Sequence, residues 1–566
     1  MENAELAIIN GNIITVDQSF SLREAVAVKN GLITAVGSND DVMALIGPQT
    51  KVIDLKGLTM LPGINDSHMH LPFFGATRPP LALDLRFPTV KSIGDMVETL
   101  RLRVAETKPG EWIRGFGWDQ SSLEECRNNP DKLPRKWDID SVSPDHPVIF
   151  SDFSGHSLLV NSKALAMAGI TRETPDPPSG ELERDATGEP TGIFKELAAQ
   201  SLISVYVPLL TRDEKKTAIR TALQHLNAQG ITSVTDAAIG PGGETFVSGV
   251  MSAEFVDLYQ EVLAEGNLTV RVSVLLLLGN YGSLNYNDLE QGLKTFKVPA
   301  VMDKQALQFP GVKIFADGIP LTYTAWMNDA YISGNFGHGR SVIPGQTDQE
   351  QHDNLVEMIK LVHRYGYQIG VHATGDRAAD AAVAGFTGAL QEIPGDRRHY
   401  IVHGDFISPD ACAKLAAINC GVAMQPTIKT MISDFETTVV GEIRAAYEWP
   451  TRTAINSGLN LTFSSDAPVT YPHWLLGVEN AVLRESLVSG KVSGPEECIS
   501  VEEALKAYTI NGAYQDHMED FKGSIEVGKA ADFCVIDRDI LSIDPHEIRN
   551  TKVVKTILNG TVVYEA

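Results

Sequence analysis

Cysteine is scarce and poorly placed for pairing. The 566-residue chain has five (Cys126, Cys412, Cys420, Cys498 and Cys534), an odd number with no Cys-x-x-Cys spacing. That counts against a disulfide framework and fits a reducing compartment. Positive charge is short as well: 47 Lys plus Arg stand against 72 Asp plus Glu, a formal charge of −25. Such a field repels phosphate backbones and anionic headgroups, so neither nucleic acid nor a membrane surface is expected as a partner. Long apolar runs are missing too; Val274 to Leu278 falls far below the ~20 residues that span a bilayer. The opening MENAELAIINGN has neither a basic start nor an apolar core, so no secretory leader is expected and the expected location is cytoplasmic. No glycine-rich phosphate fingerprint follows the first strand-like run, which disfavours an open doubly wound sheet.

What the chain does have begins with an ordinary 43% of hydrophobic residues, enough for one large core with additions. The two ends resemble each other. Asn10-Gly11, Asn30-Gly31 and Asn559-Gly560 each lie between β-branched runs. Asn-Gly favours the type I′ turn of a tight hairpin. Hairpins alone are marginal in water, so both termini are expected to share a small sheet or β-sandwich, 1–58 plus 523–566.

The middle alternates strand-like and helix-like stretches. Eight β-rich runs occur at 59–70, 231–238, 271–278, 311–318, 367–376, 399–406, 420–427 and 460–468, separated by segments such as NLVEMIKLVHRYG. Such alternation implies parallel strands with crossover helices, and eight units close into a (β/α)8 TIM barrel over 59–522. The gap of about 160 residues after the first run exceeds any ordinary barrel connection, so 75–205 is expected to be a large insertion after the first barrel strand.

The sharpest local signal is LPGINDSHMH, ending in His68 and His70. Two residues apart on a strand, both side chains are expected on one face. Imidazole suits divalent transition metals, although an isolated pair of this kind is a weak signal. Later runs strengthen it: His372 in VHATGD, His403 in IVHGD, Asp466 in FSSDAP and Lys313 in GVKIFADG. Ionisable groups near the ends of several strands are what a barrel enzyme requires, and burying them is costly unless they are paired or metal-bound. Burial and neighbouring cations would lower the pKa of Lys313, leaving a neutral amine able to take up carbon dioxide as a carbamate.

These pieces, with the tail GSIEVGKAADF and the insertion segments EWIRGFGWDQ, SGHSLLVNSKALAMAGI and GIFKELA, resemble the amidohydrolase superfamily. Within it they are most similar to the amidohydrolase family 3 branch, which includes N-substituted formamide deformylases. The resemblance spans nearly the whole chain. It implies His68, His70, His372 and His403 as metal ligands, Lys313 as a carboxylated bridging ligand and Asp466 as general base. One departure is ADGIPLTYTAWM, bulkier than the small-residue segment of many relatives and suggesting a more apolar pocket.

The expected enzyme is therefore an amidohydrolase acting on carbon–nitrogen but not peptide bonds, with one or two zinc ions. Zinc-bound hydroxide would attack the C–N-bonded carbon of an N-substituted amide or formamide. Alternatives are hydrolysis of a carbamate, urea, formamidine or cyclic amide, proton-abstracting lyase or isomerase chemistry, and a catalytically inactive barrel scaffold. His156, Trp118 and Trp326 are candidate substrate-binding residues. The partner is a small-molecule substrate, and a homodimer is the default assembly.

Overall fold

The computed structural model describes residues 3–566 apart from 88, 121, 128, 130, 131, 156, 178, 179, 242–250, 280–283 and 335. The chain divides into two compact units: Met1–Met69, Leu223–Gly242 and Tyr259–Ala566, and then His70–Ala222 with Gly243–Leu258.

Eight parallel strands occupy the centre of the first unit: β1 (Ile64–Met69), β2 (Ile231–Gly240), β3 (Arg271–Leu276), β4 (Leu307–Phe315), β5 (Gln368–Ala373), β6 (Tyr400–His403), β7 (Gly421–Met424) and β8 (Asn460–Phe463). Each pairs in parallel with the next in chain order. β8 returns to β1, where the Ser67 hydroxyl donates to the Phe463 carbonyl at 2.8 Å and the Asp466 N–H donates to the His68 carbonyl at 3.0 Å. The result is the expected (β/α)8 barrel. Strands β2, β3, β5, β6 and β7 bury every residue, which is why they read as near-continuous apolar runs. The helices between them are amphipathic. In Asp348–Arg364, buried Leu355, Met358, Ile359 and Val362 recur at helical spacing, and the Thr347 hydroxyl accepts the Glu350 N–H as N-cap.

The run expected as one strand over 59–70 is two. Thr59–Pro62 pairs with Phe533–Ile536 and with Asn12–Ile14 in a six-stranded terminal sheet, whereas Ile64–Met69 enters the barrel. The break falls at Gly63, where a Cβ would sit 2.0 Å from Thr232 Oγ1; only a glycine lets the chain pass there. A four-stranded sheet, ordered 32–37, 25–29, 6–9, 51–54, lies over the six-stranded one, and they share a core including Ile8, Val26, Ile33, Met60, Phe533, Val535 and Ile557. Asn30-Gly31 and Asn559-Gly560 take positive φ at both positions and close hairpins 25–37 and 553–565, as their type I′ chemistry requires. Asn10-Gly11 does not. Leu6–Ile9 and Asn12–Ile14 belong to different sheets, so this pair carries the chain from one layer to the other.

The second unit is built on a six-stranded mixed sheet ordered 181–184, 190–195, 157–160, 148–152, 113–118, 83–84. Helix Ile93–Glu106 packs Ile93, Met96 and Leu100 into one of its cores, beside Ile113, Trp118, Phe150 and Leu159. Among the described residues, no helix is long and apolar enough to cross a membrane.

Candidate metal centre

The site is assembled at the C-terminal ends of the barrel strands. In β1, the step from Asp66 to Met69 is matched against the shorter step from Val234 to Asp236 in β2. This bulge inserts one residue beside His68 and re-aims the strand end. His70 follows at once, at the residue before the short helix Leu71–Ala76. One ligand atom each from His68, His70 and Asp466 lies within 4.8 Å of the other two, and His68 Nε2 stands 3.4 Å from Asp466 Oδ1.

The remaining expected ligands arrive from β4, β5 and β6. Lys313 Nζ is 3.4 Å from His68 Nε2 and the residue is 1% exposed. Burial lowers its pKa to about 7, with the charge of Asp466 pulling the other way. The His403 ring lies 4.5 Å from the His372 ring and 5.6 Å from the His68 ring, centroid to centroid. Burial, then the neighbouring His372, holds His403 far below the ordinary imidazole pKa. His403 and Asp466 both adopt left-handed backbone, with φ of 76° and 53°. Non-glycine residues take that conformation at a cost, and such strain concentrates at functional sites. Four imidazoles, one amine and one carboxylate, distant along the chain, thus converge on one end of the barrel.

Hydrogen bonds from neutral groups fix this arrangement. Asp66, buried beside β8, accepts the Ser465 N–H at 3.0 Å and the Ser465 hydroxyl at 2.5 Å, locking the residue before Asp466. Burial pushes its carboxyl up to about 7 against those bonds. Asp317, just past β4, gathers the N–H groups of Trp326, Thr374 and Gly375 at 2.9, 3.0 and 2.8 Å. It thereby ties the β4 loop to the β5 loop that follows His372. His372 Nε2 donates to the Gly318 carbonyl at 3.0 Å. Neither Asp66 nor the neutral Gln425 and Ser464 at the ends of β7 and β8 stood out as site residues, although all sit where barrel active-site residues gather.

The candidate substrate-binding residues fare differently. His156 lies outside the described residues. Trp118 is a core residue of the second unit, 2% exposed, its indole N–H donating to the Phe150 carbonyl at 3.3 Å. A buried Trp with its one donor satisfied is spent on packing, which corrects its assignment to a pocket. Trp326 is 1% exposed, with the Arg377 guanidinium 5.8 Å from its ring. It contributes its backbone N–H to Asp317 and presents no open aromatic face to a ligand.

Comparison with known proteins identifies the family. The model of the amidohydrolase family matches residues 51–564. YtcJ of Bacillus subtilis, a provisionally named amidohydrolase, is 31% identical over 98% of this chain and 98% of its own length. The N-substituted formamide deformylase of Arthrobacter pascens is 27% identical over 99% and 98%. Among solved structures, a metal-dependent hydrolase from Pyrococcus furiosus superposes with a TM-score of 0.71 at 26% identity, over 95% of this chain and 100% of that one. The chain belongs to the amidohydrolase family, as an enzyme acting on carbon–nitrogen bonds other than peptide bonds.

Proposed function

We propose that the protein is a zinc-dependent hydrolase of an N-substituted amide or formamide. The observation that carries the reading is the convergence of His68, His70, Lys313, His372, His403 and Asp466. The donor set fits a cation: imidazole nitrogens beside a carboxylate suit zinc, and packing them in a buried cluster is costly without an ion among them. His68, His70 and Asp466 would hold one ion, and His372 and His403 a second, with Lys313 between. A bound divalent ion would supply Lewis-acid polarisation of the scissile carbonyl and water activation at neutral pH.

Lys313 is suited to become a carbamate. Its neutral amine nitrogen would form a bond to the carbon of carbon dioxide and lose one proton to water. The product carries one negative charge shared by two oxygens where the neutral amine carried none, so the ligand set gains the kind of charge it otherwise takes from Asp466 alone. Asp466 would be the group that moves protons. As water adds to the carbonyl carbon, its carboxylate takes the water proton; as the C–N bond breaks, it returns that proton to the departing amine nitrogen. The full-length similarity to the Arthrobacter formamide deformylase supports an N-substituted amide or formamide ahead of the carbamate, urea, formamidine and cyclic amide alternatives.

Asp466→Asn tests the assignment. It should fold and retain zinc by elemental analysis yet lose turnover by about 10²- to 10⁴-fold, the usual share of a general acid–base. Wild-type turnover by that variant, or no activity of the zinc-loaded protein across a panel of N-alkyl and N-aryl formamides and amides, would overturn the reading.

A further inference from the structure

β7 is the one strand from β4 onward that brings no ionisable group to the centre, yet its end holds the residue that decides how His403 is presented. Gln425 follows Met424 directly, is fully buried, and receives His403 Nδ1 on its Oε1 at 2.9 Å. Its amide nitrogen points the other way, to the Ala423 carbonyl at 3.1 Å and the Ser464 hydroxyl at 2.9 Å.

The chemistry of these partners leaves one arrangement. A backbone carbonyl only accepts, so the group facing Ala423 must be the NH₂ of Gln425. That puts the amide oxygen, an acceptor only, against His403 Nδ1. Nδ1 must therefore carry the hydrogen, and Nε2 is left with its lone pair. Ser464 completes the chain, accepting from Gln425 and donating to the Met424 carbonyl at 3.5 Å. Both amide hydrogens are engaged, so the side chain cannot flip without leaving the Ala423 carbonyl facing an oxygen and His403 Nδ1–H facing a donor.

We propose that Gln425 is a positioning residue that holds His403 as its Nδ1–H tautomer, so that an unprotonated Nε2 is the edge offered to the His68 and His372 side of the centre. Ligands of this kind are commonly oriented by a hydrogen bond on their second nitrogen, and removing that bond typically weakens metal binding 10- to 100-fold. Here the orienting group is a neutral amide anchored to the backbone of β7. It fixes the tautomer without adding a negative charge.

The test uses full-length protein labelled with ¹⁵N-histidine and compares wild type with Gln425→Met and Gln425→Glu. In long-range ¹H–¹⁵N spectra of metal-free protein, the His403 signals, identified by their loss in His403→Gln, should show the Nδ1–H form in wild type. Gln425→Glu should keep the Nδ1–H form, because a carboxylate oxygen also accepts from His403, although it gives up the bond to the Ala423 carbonyl and so costs stability. Gln425→Met should lose it, giving mixed tautomers or Nε2–H, with the zinc dissociation constant raised about 10- to 100-fold in chelator competition. An Nε2–H ring in wild type, or a Gln425→Met protein with the wild-type tautomer and zinc affinity, would overturn the proposal. The tautomer is read without metal or substrate, so its failure is distinct from failure of the hydrolase assignment.

Discussion

Acidification should unfasten this barrel through a histidine pair that takes no part in the metal centre. His363 Nε2 meets the Ile393 carbonyl at 2.8 Å, so it carries a hydrogen and Nδ1 is an acceptor. His399 Nε2, 2.9 Å from that Nδ1, is then the donor, and His399 Nδ1 accepts the Ile369 N–H at 3.1 Å. An added proton on His399 would have to sit on Nδ1, where it would face the Ile369 hydrogen inside a dry core. Burial is the first cause, and the neighbouring His363 the second, of a pKa lowered to about 3. The unfolded chain protonates His399 near 6.5 while the folded chain does not. Stability is therefore fully present above pH 6.5 and falls as the pH drops toward 3. One proton bound only by the unfolded state lowers stability by roughly 1.4 kcal/mol per pH unit. From 6.5 to about 3 the loss is about 5 kcal/mol. Between pH 6.5 and 5, before most carboxylates titrate, it is about 2 kcal/mol. Urea midpoints measured across that window at constant m report the slope. His399→Gln should be less stable at pH 8 but lose less between pH 6.5 and 5, by about one proton's worth. An identical slope in the two proteins would refute the reasoning.

Two further outcomes follow from the packing. Trp118→Phe should keep the substrate KM within about twofold while lowering stability by about 1 kcal/mol, since it removes one hydrogen bond to the Phe150 carbonyl from a filled core; a large change in KM with unchanged stability would restore Trp118 to the substrate pocket. Gly63→Ala should destabilise the protein by about 1–3 kcal/mol, because the new methyl meets Thr232 Oγ1 at 2.0 Å in a packed interior. Thermal melting checks it, and an unchanged midpoint would show that the chain can bend elsewhere.

Much of the barrel was legible because parallel strands covered on both faces leave runs such as Arg271–Leu276 and Gly421–Met424 that stand apart from the amphipathic helices between them. His68, Lys313, His372 and Asp466 stood out for the complementary reason: an ionisable residue inside or just after such a run has no cheap explanation. Gln425, Ser464 and Ser465 did not stand out. Neutral polar residues at strand ends look like the start of any loop, and the bonds that give them meaning join positions far apart, such as Asp66 with Ser465. Composition cannot separate an aromatic that fills a core from one that lines a pocket, which is why the burial of Trp118 and Trp326 is visible only in the structure. Asn10-Gly11 carries the same turn signal as Asn30-Gly31. Only the partner strands decide whether the chain doubles back or changes layers.

The split at Gly63 gives the terminal sandwich a stake in the chemistry. Thr59–Pro62 is hydrogen-bonded into the six-stranded sheet, and after one glycine the same chain becomes the strand that carries His68. A shortened protein beginning at the barrel would leave Phe533–Ile536 with a bare flank, an adhesive edge for a neighbouring molecule. It would also set the strand that carries His68 adrift at its root. Trimming for expression, or fusion of a partner at the amino end, should therefore leave residues 3–62 in place, since they serve as the anchorage of the first barrel strand.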